Sequence, residues 1–136
     1  MTDADLVAKK LALIETAVRE IRTLGKLDLI ATDVREARFI EHTLQMAIQA
    51  ALDVASHIVS DERLGEPRTS RELFDLLGRG GWLPGKLVGT FKNMAGFRNV
   101  LVHGYDAVDL HVVQDIVEHH LDDLLEFVRL IRERPG

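Results

Sequence analysis

The most constraining feature of this 136-residue chain is the spacing of its apolar residues. Val7, Leu11, Ile14, Val18 and Ile21 step by fours and threes. Such steps line one side of an α-helix, which completes a turn every 3.6 residues. The spacing predicts a first helix near residues 4–24, with Gly25 as its stop. Ile40, Leu44, Ala47, Ala51, Val54 and Ile58 repeat the pattern. Thr32 or Asp33 can cap this second helix, and Glu36 stands three residues after Asp33. It runs to about Ser60, roughly 40 Å at 1.5 Å per residue. Ala37, Phe39, Met46 and Ala50 widen its apolar surface. A helix apolar on more than one side packs against several partners, and Ala47 and Ala51 are candidates for contact with a second subunit.

A break follows at Gly65-Glu66-Pro67. Thr69 and Glu72 have capping-box spacing ahead of a short helix, Ser70 to Leu77. Pro84 can open a fourth helix carrying Leu87, Val88, Phe91, Met94, Phe97 and Leu101. A last helix starts near Asp106 or Asp109 and carries Val113, Val117, Leu121, Leu124, Val128 and Ile131. The one strand-like run, Val100-Leu101-Val102, has no second run to pair with. The expected fold is an all-α, up-and-down bundle of about five helices in one domain, residues 1–136.

With 46% hydrophobic and 29% charged residues, the chain has the composition of a folded protein. It contains no cysteine, which excludes a disulfide framework, a thiolate zinc site and a cysteine nucleophile. No apolar run approaches the ~20 residues of a membrane span, so no membrane partner is expected. The start of the chain, with Asp3 and Asp5, is acidic where a signal peptide is basic, and a cytoplasmic setting is expected.

The net charge is −5, but it is unevenly placed. From Leu76 to Tyr105 there is no Asp or Glu, while Arg79, Lys86, Lys92 and Arg98 supply +4. An acidic protein with one basic segment points to a local anion site.

Three patterns in the sequence bear on chemistry. Gly80 to Lys86 fits the phosphate-loop spacing G-x-x-x-x-G-K, but Leu87 stands where a magnesium-binding Ser or Thr is required, and a helix precedes it instead of a strand. It reads as a helix–helix connector. His111, Asp115 and His119 share one helix face, which is a metalloenzyme pattern or a solvated surface; the expected metal content is none. The third pattern is Arg98-Asn99-Val100-Leu101-Val102-His103-Gly104-Tyr105. Arg98 carries a permanent charge that forks onto phosphate oxygens. His103 titrates nearest neutrality and can transfer a proton. Asn99 shares a helix face with His103 and can orient it. Gly104 lets the chain leave the helix. Arg and His together suffice for RNA cleavage without a metal, where the 2′-OH is the nucleophile. The same two residues can also cap helix carbonyls and pair with acids such as Asp106.

Phe97 to Tyr105 resembles the R-x4-H-x-Y signature of the HepT-type HEPN toxins. Gly65-Glu66-Pro67, Phe74-Asp75-Leu76-Leu77 and Trp82-Leu83-Pro84 follow the family's order before the motif, and Asp109-Leu110 and the final helix follow it afterwards. The similarity runs from about Thr32 onward. It implies a dimeric helical bundle in which two copies of the motif face one cleft. It implies a metal-independent endoribonuclease acting on tRNA or mRNA, with no cofactor. Arg98 and His103 match the catalytic positions, Asn99 the supporting polar residue, and Tyr105 the tyrosine that a cognate minimal nucleotidyltransferase antitoxin adenylylates. Lys86 and Lys92 are candidate RNA-phosphate contacts. The alternative is a catalytically silent HEPN module that binds a nucleotide or a partner protein.

Overall fold

The computed structural model describes residues 3–104 and 108–134. Among them are six α-helices, one 3-10 turn and no strand. Helix α1 spans Ala4–Leu24, α2 Val34–Asp61, α3 Ser70–Arg79, α4 Gly85–His103, α5 Leu110–His119 and α6 Leu121–Glu133. The 3-10 turn, Leu27–Leu29, joins α1 to α2.

Local chemistry sets most of these boundaries. Asp3 caps α1 by accepting the Leu6 N–H, and Asp33 caps α2 by accepting that of Arg35. Glu36 does not reach back to Asp33 as in a capping box; its carboxylate accepts the Lys26 N–H at 3.0 Å and ties down the 3-10 turn. Thr69 caps α3 through the Glu72 N–H. A Schellman motif closes α3: Trp82 N–H donates to Leu77 O and Gly81 N–H to Gly78 O. Gly81 sits at φ +79°, the left-handed conformation the motif demands. The Gly80–Lys86 stretch is therefore a helix–helix connector, and its Leu83 is buried. The strand-like Val100-Leu101-Val102 run is the last full turn of α4.

The expected single last helix is two. His120 breaks it at φ −126°, ψ 1°, ending α5 and starting α6. The apolar stripe continues across the break, so the spacing alone reads as one helix. The His120 ring lies between Asp115 at 3.3 Å and Asp123 at 2.9 Å, one carboxylate from each segment.

α2 is the central element, packed against α1, α3 and α4, while α6 lies on α1. Ala47 and Ala51 are fully buried inside this packing. Their faces are covered by the chain's own helices, so they are not subunit contacts. Phe74 of α3, Phe91 of α4 and Phe127 of α6 form a buried aromatic cluster with centroids 5.0–6.5 Å apart. That cluster fixes the height and rotation of α4, the helix that carries the Arg–His motif. Across the α1–α6 seam, Arg132 donates to Glu15 and Arg22 to Asp122, both at 2.7 Å.

Candidate active site on α4

Helix geometry decides where each motif residue lies. Leu87, Phe91, Met94 and Leu101 form the buried stripe of α4. Arg98 lies seven residues beyond Phe91, two turns along the same inward side. A charged residue therefore occupies a core-facing position, and Arg98 is only half-exposed. Its guanidinium lines a cavity of about 290 Å³ together with Gln49, Asp53 and Ser56 of α2 and Ser70 and Leu73 of α3.

His103, on the last turn, is exposed. Five residues separate it from Arg98, about 140° around the axis and about 7.5 Å along it. The two side chains of one chain thus leave α4 on different sides. Asn99 links them. It stands only about 40° around the helix from His103, and its Oδ1 accepts a hydrogen bond from Arg98 Nη1 at 3.1 Å. The interaction fixes one end of the guanidinium. Gly104, at φ +137°, takes the backbone out of the helix directly after His103. Tyr105 lies outside the described residues.

The basic segment does not form one patch within the chain. Lys92 is ion-paired with Asp75 of α3 at 3.1 Å. Lys86 is exposed on the first turn of α4, about 25 Å along the helix from His103. Its charge contributes, after Arg129, to holding the Glu126 carboxyl of α6 below its usual value. Of the four cations in the acid-free segment, Arg98 alone shares the motif's end of α4. His111, Asp115 and His119 do not converge: among the described residues no three His, Cys, Asp or Glu are placed to hold a metal ion.

Two features escape a reading of the sequence. One is the ring of α2 and α3 residues around Arg98, above all Gln49 and Asp53, which lie more than forty positions from the motif. The other is that Val100 and Val102, 38% and 53% exposed, project outward beside the motif, with exposed Val112 on α5. The interruption of an apolar stripe by Arg98 was a legible signal of the first.

The ribonuclease HepT-like family profile matches residues 14–131. The mRNA nuclease HepT of Shewanella oneidensis is 31% identical over 129 residues, covering 94% of this chain and 97% of that one. The tRNA nuclease HepT of Aphanizomenon flos-aquae is 32% identical over 105 residues, 77% of this chain and 71% of that one. Among solved structures, the tri-AMPylated Shewanella oneidensis HEPN toxin in complex with its MNT antitoxin superposes with a TM-score of 0.87 at 30% identity, over 98% of this chain and 100% of that one. By profile, sequence and fold together, the chain belongs to the HepT-like ribonuclease family.

Proposed function

We propose that this chain is the toxin of a toxin–antitoxin pair, a metal-independent endoribonuclease that acts through Arg98 and His103. One observation carries the reading: a charged arginine held on the inward stripe of α4 and joined through Asn99 to the face that presents His103. A purely structural helix would place an apolar residue there. Membership of a family whose relatives are named mRNA and tRNA nucleases supplies the substrate class.

Arg98 binds the scissile phosphate and neutralises charge as the phosphorane forms. His103 transfers a proton. The 2′-oxygen attacks phosphorus, the P–O5′ bond breaks, and a 2′,3′-cyclic phosphate remains. The proton lost from the 2′-OH and the proton gained by O5′ balance the step. Asn99 steers both catalytic groups. The enzyme works as a homodimer of one-domain chains. A second copy covers Val100, Val102 and Val112 and brings two motifs to a shared cleft, which suits an Arg and a His that diverge within one chain. Lys86 of either copy serves RNA phosphates away from the cut. Lys92 joins it only by giving up Asp75.

A minimal nucleotidyltransferase antitoxin silences the enzyme by transferring AMP to Tyr105: the phenol oxygen attacks the α-phosphorus of ATP and pyrophosphate leaves. The added anion and base obstruct RNA at the cleft. The solved complex of an AMPylated relative with its MNT antitoxin supports this partner. A cytoplasmic location fits the absence, among the described residues, of any helix long and apolar enough to cross a membrane.

Expression in a bacterial host tests the reading. The chain alone should arrest growth. Arg98→Ala and His103→Ala should not, and co-expressing the antitoxin should relieve the arrest. Arrest by His103→Ala at the wild-type level would refute the site.

A further inference from the structure

Gln49 and Arg98 are linked by their unmet hydrogen bonds. Three side-chain polar atoms are buried without a partner among the described residues: Glu41 Oε2, Gln49 Oε1 and Arg98 Nε. Two of the three belong to residues lining one cavity, and they are complementary, one an acceptor and one a donor. Buried unpaired polar groups are uncommon, because each forgoes solvation without replacing it.

The Gln49 amide has a defined orientation. Its Nε2 donates to Asp53 Oδ1 at 2.8 Å, and Asp53 Oδ2 is held by Lys10 at 2.9 Å. A carboxylate accepts only, so the amide nitrogen must face Asp53 and the carbonyl oxygen must be the atom left over. Lys10 of α1 and Asp53 thus leave Gln49 Oε1 as a buried acceptor, on a residue that lines the Arg98 cavity and a second cavity shared with Lys10. Among the described residues, Arg98 is secured at one terminal nitrogen, by Asn99.

We infer that Gln49 is a positioning residue for Arg98: Arg98 Nε–H donates to Gln49 Oε1 when RNA is bound, and the Lys10–Asp53–Gln49 chain fixes the guanidinium against the phosphate. Hydrogen bonds of active sites commonly tighten only in the substrate complex. With Nε held by Gln49 and Nη1 by Asn99, the remaining N–H groups are left for phosphate oxygens, and the fork enters the reaction already aimed. The inference rests on Arg98 being the phosphate-binding group.

A double-mutant cycle on RNA affinity tests it. All proteins carry His103→Ala to prevent cleavage, and the probe is a fluorescent single-stranded RNA of mixed sequence, with a tRNA pool in parallel. Gln49→Met keeps the volume and removes the acceptor. It should weaken binding about tenfold, the size of one hydrogen bond to a charged group. Added to Arg98→Ala, it should change nothing further. Equal weakening with and without Arg98, or no weakening with Arg98 present, would overturn the inference. A Gln49→Met protein that melts early is replaced by Asp53→Asn, which drops the Lys10 charge pair and leaves the cavity volume intact. Its weakening must likewise vanish with Arg98→Ala. If Arg98→Ala by itself leaves both RNA binding and, in a His103-intact protein, cleavage unchanged, the reading of Arg98 fails; loss of both with additive Gln49 effects sinks only the positioning role.

Discussion

Arg98 and Glu41 are both charged residues in positions where helix spacing asks for an apolar one, yet they answer different needs. Arg98 is half-exposed, opens onto a cavity and has Asn99 for a neighbour. Arg98→Ala should therefore abolish cleavage and leave thermal stability within about 1 kcal/mol, since its Nε is already unpaired. Unfolding of the variant, seen by circular dichroism, would make its role structural. Glu41 is wholly buried, with Arg38 accepted at 3.1 Å on one oxygen and nothing on the other. Burial raises its pKa above the usual carboxylate value, and the Arg38 hydrogen bond offsets this only in part. Folded protein then holds a proton that the unfolded chain has released. This group's contribution is greatest below the ordinary carboxylate pKa and falls as pH rises through the interval up to the raised value. Glu41→Gln should flatten that fall and add about 1 kcal/mol at neutral pH. Urea melts at several pH values would check it, and a variant less stable at neutral pH would contradict it. Sequence spacing exposed Arg98 and the R-x4-H pattern. Glu41 interrupts the Ala37, Leu44, Ile48 spacing in the same way, but the parallel Ile40, Leu44, Ala47 stripe is complete and masks it.

Between elements, the legible part was the part with local causes. The caps at Asp33 and Thr69, the stop at Gly25 and the span of α1 all follow from residues within a turn of each boundary. The split at His120 did not, since it carries neither Pro nor Gly and keeps the apolar register. Nor did the fate of Ala47 and Ala51, because one helix face looks the same whether its own chain or another covers it. Their burial gives a sharp expectation: Ala47→Glu should destabilise the fold by several kcal/mol, as an unpaired charge in a packed core does. A folded, merely monomeric Ala47→Glu protein would contradict the packing. Gly81 gives a second expectation. Open space surrounds its Cβ position, so Gly81→Ala meets no clash, and its cost is the left-handed φ alone, about 1 kcal/mol in a thermal melt. An unchanged melting temperature would show that the Schellman closure of α3 tolerates a side chain.

For the whole molecule, the decisive fact is that Arg98 and His103 leave α4 about 140° apart, with exposed Val102 between them and exposed Val100 on the far side of His103. A second copy packed against this end of α4 would complete the site. Val102→Asp should accordingly yield a folded monomer by light scattering and lower cleavage at least tenfold, because each site loses the groups its partner supplies. A monomeric wild type, or a Val102→Asp dimer, would refute this interface. The acid-free segment points in sequence to a local anion site, yet Lys92 is engaged by Asp75 and Lys86 stands at the far end of α4. Charge along a chain says nothing of which acid on another helix will meet it.

The most direct measurement is RNA cleavage in EDTA by purified protein whose intact mass shows no added AMP, with Arg98→Ala and His103→Ala alongside. The wild type should cleave, leaving ends that bear 2′,3′-cyclic phosphate, and neither variant should. Cleavage that vanishes with EDTA, or that survives in His103→Ala, would contradict it.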